Sequence, residues 1–191
     1  MIQIDAETGH MWCLDTGTVF ADRPYVYSLH GRVADREVVE VGLGARTVTT
    51  DDDETVVRGM FEALQIELTQ RFHNTSEGVE ETIAFKNLGD ESVTLSDIEL
   101  GFAADLDGRQ SRRLCAIPFR VQLDGSRHDY SGTDLIEGNF SNAVYRDETR
   151  PEPALVEEGR LRSEAWAWWA DGMGLLVAKY NNADVELSVT A

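Results

Sequence analysis

Apolar side chains recur at every second position, or in short unbroken runs, along most of this chain, with Gly, Asp and Asn between them. That period is the alternation of a β-strand, whose successive side chains point to opposite faces. No segment holds an i, i+3, i+4, i+7 apolar pattern over a helix-length window with caps. Gly132–Phe140 is at most a short helical turn. The pattern predicts strands at Met11–Phe20, Tyr25–His30, Glu37–Leu43, Leu64–Phe72, Val79–Lys86, Ser92–Phe102, Leu114–Leu123, Leu161–Trp169, Leu175–Tyr180 and Val185–Val189. Strands separated by polar turns, without intervening helices, predict an all-β antiparallel sandwich and not alternating βαβ units. A chain of 191 residues is long enough for one such core, so a single domain over 1–191 is expected.

The turns carry their own signals. Asn87–Glu91, "NLGDE", lies between two β-rich runs, and Asp171-Gly172 follows a tryptophan-rich one. Both supply the residues that hairpin loops use for positive φ or side-chain capping. Thr49–Thr55, "TTDDDET", reads as an acidic surface loop. Ser141–Arg160, with two prolines and dense charge, reads as a long loop that cannot be an interior strand. The final run, "DVELSVTA", stops in a strand-like pattern, so the chain is expected to be the N-terminal part of something longer.

The charge balance excludes some partners. Thirty-five acidic residues face 17 basic ones, a formal net charge of −18, and only Lys86 and Lys179 among the bases are lysines. Such an excess repels nucleic acid and anionic membranes. It also suits concentrated salt, where self-repulsion is screened. No apolar run approaches the ~20 residues that span a bilayer, and the N-terminus lacks a basic block followed by an apolar one. The expectation is a soluble, cytoplasmic protein. Cys13 and Cys115 are far apart and outside any C-x-x-C spacing, so both read as small core hydrophobes.

Motifs for chemistry are sparse. Asp51, Asp52, Asp53 and Glu54 lack the glycine of a calcium loop and read as a solvated tip. Asp105–Gly108, "DLDG", lacks the later ligands of such a loop and reads as a turn. His10, His30, His73 and His128 form no zinc-binding pair. No nucleophile elbow or dinucleotide fingerprint is present. The triplets Asn74-Thr75-Ser76 and Asn139-Phe140-Ser141 match the glycosylation pattern and read as chance matches without a signal segment. The expectation is no metal, no cofactor and no catalytic residue.

The densest feature is "SEAWAWWADGMGLLVAKYN", Ser163–Asn181, with three tryptophans in four residues. On a strand, Trp166 and Trp168 share one face, and Ala165, Ala167 and Trp169 the other. The returning run Leu175–Ala178 is apolar on both faces and predicts a central, buried strand. Trp166 and Trp168 therefore read as core. Trp169, beside the turn, is the candidate to stack on a sugar ring, with Asp171 as its polar neighbour.

The segments "KNLGDESVTL" and "SEAWAWWADGMGLLV" together resemble the N-terminal β-supersandwich domain of α-galactosidase-like glycoside hydrolases, the family 36 and melibiase group. The resemblance covers roughly Leu64 to Ser188. It implies a galactose-mutarotase-like sandwich that supports a downstream (β/α)₈ barrel, where two aspartates carry catalysis, and that contributes to the rim of its sugar site. A barrel needs ~250 residues, so no catalytic residue can be assigned to this chain. The partners implied are carbohydrate, the downstream catalytic domain and, through oligomer contacts, a second copy. Two other readings stay open. One is an independent carbohydrate-binding module, using Trp169 and the Ser141–Arg160 loop. The other is a sugar-ring epimerase with His73 and His128 as acid and base.

Overall fold

The computed structural model describes residues 1–105, 113–117, 129–131, 161–163, 165–170, 172–178 and 188–190. The chain divides into two compact units, Met1–Asp105 and Leu106–Ala191. Among the described residues every regular element is a strand, and every strand pair is antiparallel. No helix among them is long and apolar enough to cross a membrane. The architecture is an all-β antiparallel sandwich, as the period-two pattern predicts.

In the first unit, strands β1 (Ile2–Asp5), β2 (His10–Cys13) and β3 (Val19–Ala21) form a small meander. Strands β4 (Arg23–Val33), β5 (Arg36–Val41) and β10 (Val93–Ala103) form a second sheet in the order β10-β4-β5. Strands β6 (Gly44–Thr50), β7 (Glu54–Phe61), β8 (Ile66–Asn74) and β9 (Val79–Asn87) form a four-stranded sheet in sequence order. The core lies between these last two sheets. Tyr25, Tyr27 and Leu29 of β4 meet Val57 and Phe61 of β7 and Ile66, Leu68 and Phe72 of β8, all buried. Each set occupies alternate positions of its strand, so one face of each sheet is removed from water.

Four expectations change. The Asn87–Glu91 segment is not a hairpin: β9 pairs with β8, whereas β10 pairs with β4 in the other sheet. Its residues form an arch between sheets. The Asn87 side chain accepts from the Gly89 amide (2.9 Å) and donates to the Glu91 carbonyl (2.8 Å), so the arch is capped locally. The stretch Met11–Phe20 is two strands, because a tight turn between Cys13 and Thr18, with Gly17 at φ +69°, returns the chain on itself. Leu64 precedes its strand and lies in the β7–β8 turn, buried, its amide donating to Glu40 across to β5. Thr49–Thr55 is mostly strand: only Asp51–Asp53 form the tip, closed by mutual bonds between the Asp51 and Glu54 backbones. The β-branched residues Thr47, Val48, Thr49, Val56 and Val57 explain why this region extends. The triplet Asn74-Thr75-Ser76 sits in the exposed β8–β9 turn, which the Thr75 hydroxyl caps by accepting from the Gly78 amide.

The β4–β5 hairpin turns through Ala34 and Asp35, and Ala34 has φ +53°. A Cβ in this left-handed region costs about 1–2 kcal/mol, part of which a glycine returns in lost chain freedom. Ala34→Gly is therefore expected to stabilise the chain by about 0.5–1 kcal/mol. Urea denaturation checks this, and an unchanged or lower midpoint would contradict it.

In the second unit, β11 (Arg113–Ile117), β12 (Asp129–Ser131), β14 (Ala165–Ala170) and β15 (Met173–Ala178) form a sheet in the order β12-β11-β14-β15. A separate pair joins β13 (Leu161–Ser163) to β16 (Ser188–Thr190). Gly132–Phe140, the Ser141–Arg160 loop, His128, Asp171 and Asn139–Ser141 lie outside the described residues, as does most of Asp105–Gly108.

Candidate functional site

The tryptophan hairpin forms in the predicted place. Ala170 pairs with Met173, leaving a two-residue loop whose second member, Gly172, has φ +81°. That is the left-handed conformation such loops require. Asp171, the other loop position, is not among the described residues. Trp168 is half-buried, and Trp169 on the opposite face is 39% exposed. Trp168 and Trp169 fall on opposite faces, as strand alternation predicts, and the Trp166 side chain lies outside what is described.

The return strand departs from expectation. Among the described strands β15 is at an edge, not central, and Leu176 and Val177 are 59% and 45% exposed. Apolar character on both faces does not by itself distinguish a central strand from an apolar edge. Around Trp169 the cross-strand positions are Gly174 on β15 and Arg113 on β11. A Cβ at position 174 would sit 3.6 Å from the Trp169 Cβ, so the glycine leaves the space beside that indole without a side chain. The result is a flat, accessible aromatic surface with a guanidinium-bearing residue in the neighbouring strand.

A second constellation, of polar residues, lies inside the first unit. The Tyr27 hydroxyl donates to Gln70 Oε1 (2.5 Å), and Gln70 Nε2 donates to Glu81 Oε1. The Tyr25 hydroxyl donates to the same oxygen at 2.6 Å. Gln70 is fully buried, at 0% exposure. Glu81 belongs to the edge strand β9 and is exposed as a residue, but its carboxyl turns inward to these donors. Burial raises the Glu81 carboxyl above the ordinary glutamate range, and the hydrogen bonds from Tyr25 and Gln70 only partly oppose it. Burial likewise holds the Tyr25 hydroxyl well above the usual tyrosine range, with the Glu81 charge adding to the effect. Tyr25 therefore remains a neutral donor.

Arg46 reaches this cluster because of a backbone irregularity. The β6–β7 register shifts between Gly44 and Thr47, with Ala45 at φ +46°, and such bulges re-aim side chains. The Arg46 guanidinium lies 5.8 Å from the Tyr27 ring centroid and donates to the carbonyls of Ala6 and Glu7. Burial raises the Tyr27 hydroxyl also, with Arg46 opposing the shift.

Neither the tyrosine pair nor Gln70 is singled out by a motif. The signal was positional. Gln70 interrupts the inward set Ile66, Leu68, Phe72, and Glu81 interrupts Val79, Ile83, Phe85. A polar residue at an inward position needs a partner, and these two satisfy one another. One carboxyl among neutral donors in an aromatic surround is a structural network.

Among the described residues the remaining candidates do not assemble, and His128 lies outside them. His73 is exposed on the outer face of β8, across from Glu54 and Glu80. Glu54 is engaged by Arg71 at 2.9 Å. Asp51–Asp53 are exposed at their turn. Cys13 is a buried free thiol, and the Cys115 side chain is outside what is described. No three His, Cys, Asp or Glu residues among those described come together in a way that could hold a metal ion. No protein-family model, curated protein or solved structure matches this chain.

Proposed function

We propose that this chain is a non-catalytic β-sandwich accessory domain that contacts carbohydrate through Trp169 and supports a glycoside hydrolase barrel of the α-galactosidase kind. The observation that carries the carbohydrate contact is the exposed Trp169 indole, which has glycine, not a side chain, across the β14–β15 ladder. A flat apolar ring at an accessible surface fits the apolar face of a pyranose, and Arg113 is the cross-strand neighbour of Trp169 on β11. The glycoside hydrolase context comes from the resemblance of the Asn87–Glu91 and Ser163–Ala178 segments.

The test is a fluorescence titration of the purified chain with α-galactosides and related oligosaccharides. Wild type is expected to show a saturable change in tryptophan emission. Trp169→Ala is expected to weaken binding about tenfold, the equivalent of roughly 1.4 kcal/mol of lost stacking, without unfolding, because the side chain is exposed. Equal responses from the wild type and the variant would remove Trp169 from the proposal. No response to any sugar would sink the binding role itself.

A further inference from the structure

Strand β5 is an edge strand, paired with β4 alone among the described strands, and its ladder has no register shift. The Gly42 amide, next along the chain, donates to the Tyr27 carbonyl of β4 at 2.7 Å. Antiparallel alternation therefore turns the backbone groups of Val38 and Glu40 to β4 and those of Glu37, Val39 and Val41 to the open edge. The side chains beside that edge are apolar and uncovered, with Val39 60% and Val41 80% exposed. We propose that β5 pairs antiparallel with β5 of a second copy of this chain, with Val38 opposite Val38. The two β10-β4-β5 sheets then become one sheet of six strands.

The other edges of this unit carry the features that discourage pairing. The β6 ladder shifts between Gly44 and Thr47, with Ala45 at φ +46°. The β10 ladder shifts twice, between Leu95 and Asp97 and between Gly101 and Ala103. Strand β9 is regular, but Glu80 and Lys86 stand exposed along it. The sequence of β5, "REVVEV", has neither bulge nor proline, and its exposed row ends in the two valines.

Charge selects both the partner and the register. With Val38 on the two-fold axis, Arg36 of each copy stands opposite Glu40 of the other, which gives two ion pairs. Glu40 takes the Leu64 amide on Oε2 at 3.0 Å, and its other oxygen can accept from the guanidinium. Glu37 of one copy then lies opposite Val39 of the other, and these residues exchange the backbone bonds that face the open edge. Moving the axis to Val39 sets Val38 against Glu40 and loses both ion pairs. Moving it to Glu40 sets two carboxylates directly against each other, which is destabilising. Because the contact uses the same strand on both sides, it closes at a dimer and does not propagate. Each copy carries −18, so the association is expected to strengthen as salt screens the general repulsion.

Sedimentation equilibrium of the full chain in about 1 M salt, where screening acts beyond about 3 Å, tests the pairing. The wild type is expected to show a monomer–dimer equilibrium. Val39→Pro removes an amide that faces the open edge and spares the β4 ladder, so it should raise the dissociation constant about tenfold or more. A wild type that stays monomeric at every concentration would overturn the proposal, as would an equally tight dimer of Val39→Pro. If Val39→Pro does not fold, oxidative cross-linking decides. Val38→Cys places two thiols at the axis in a non-hydrogen-bonded pair, about 4.5 Å between Cα atoms and within disulfide reach. Val39→Cys places them two residues apart along the ladder, beyond that reach, and the wild type sets the background from Cys13 and Cys115. Covalent dimer in Val38→Cys above both others supports the pairing and its register, and no such excess overturns it.

Discussion

Gly9→Ala is expected to destabilise the first unit by about 2–4 kcal/mol, whereas Gly17→Ala should cost only about 1 kcal/mol. Both glycines have positive φ, +77° and +69°, so the backbone penalty of a Cβ is similar at the two sites. Their surroundings differ. Nothing lies within 4 Å of a Cβ placed at Gly17. At Gly9 that atom would stand 2.2 Å from the Tyr25 amide nitrogen, 2.7 Å from the Arg23 carbonyl oxygen and 2.8 Å from the Pro24 carbonyl carbon. All three are β4 backbone, which cannot rotate away as a side-chain tip would.

The β1–β2 turn must therefore retreat from β4. It carries Ala6, a core residue, and the Ala6 and Glu7 carbonyls that hold Arg46 over Tyr27. The turn is itself well tied, since Asp5 accepts from the Glu7 and Thr8 amides and the Gly9 amide donates to the Asp5 carbonyl at 2.8 Å. It will move as a piece and not deform locally. Chemical denaturation of the two variants measures the difference. If Gly9→Ala and Gly17→Ala lose the same stability, the close approach to β4 is not the reason for a glycine at position 9.

The strand pattern of this chain was legible because each buried face writes itself into the sequence at period two. Tyr25-Tyr27-Leu29 and Ile66-Leu68-Phe72 are read without a structure. Pairing was less legible, since a turn sequence does not reveal whether the strands it joins will share a sheet. Asn87–Glu91 has hairpin chemistry, yet its two strands belong to facing sheets. What decides between hairpin and arch is the long-range competition of β10 for β4, not the loop. Strands β6 and β7 were obscured by the Asp51–Asp53 charge between them, although their threonines and valines favour extension.

The candidate site divides in the same way. Trp169 stands out by residue type and by its place beside a turn signal, and its exposure depends on the sheet order around it. The polar cluster is built from residues 25, 27, 46, 70 and 81, none adjacent to another, with Arg46 delivered by a bulge. No spacing rule anticipates that convergence. Gln70 and Glu81 on inward faces are a sign that something must meet them, and the fold is needed to say what.

Gln70→Leu is expected to lower stability by about 2–4 kcal/mol, more than an isosteric core replacement would suggest. Leucine fits the volume, so cavity formation is a minor part of the loss. The larger part is electrostatic: the Tyr27 hydroxyl loses its acceptor, and the Glu81 carboxyl loses one of its two donors. Leaving a buried polar group unsatisfied costs about 1–3 kcal/mol, whereas removing both partners together is close to neutral. The double variant Gln70→Leu with Tyr27→Phe should therefore recover part of the lost stability, although it deletes more hydrogen bonds than the single change. A double-mutant cycle in urea gives the coupling directly. Strict additivity would mean that the Tyr27 hydroxyl finds another acceptor. Partial rescue would show that Gln70 is retained at an apolar position because Tyr27 and Glu81 require it.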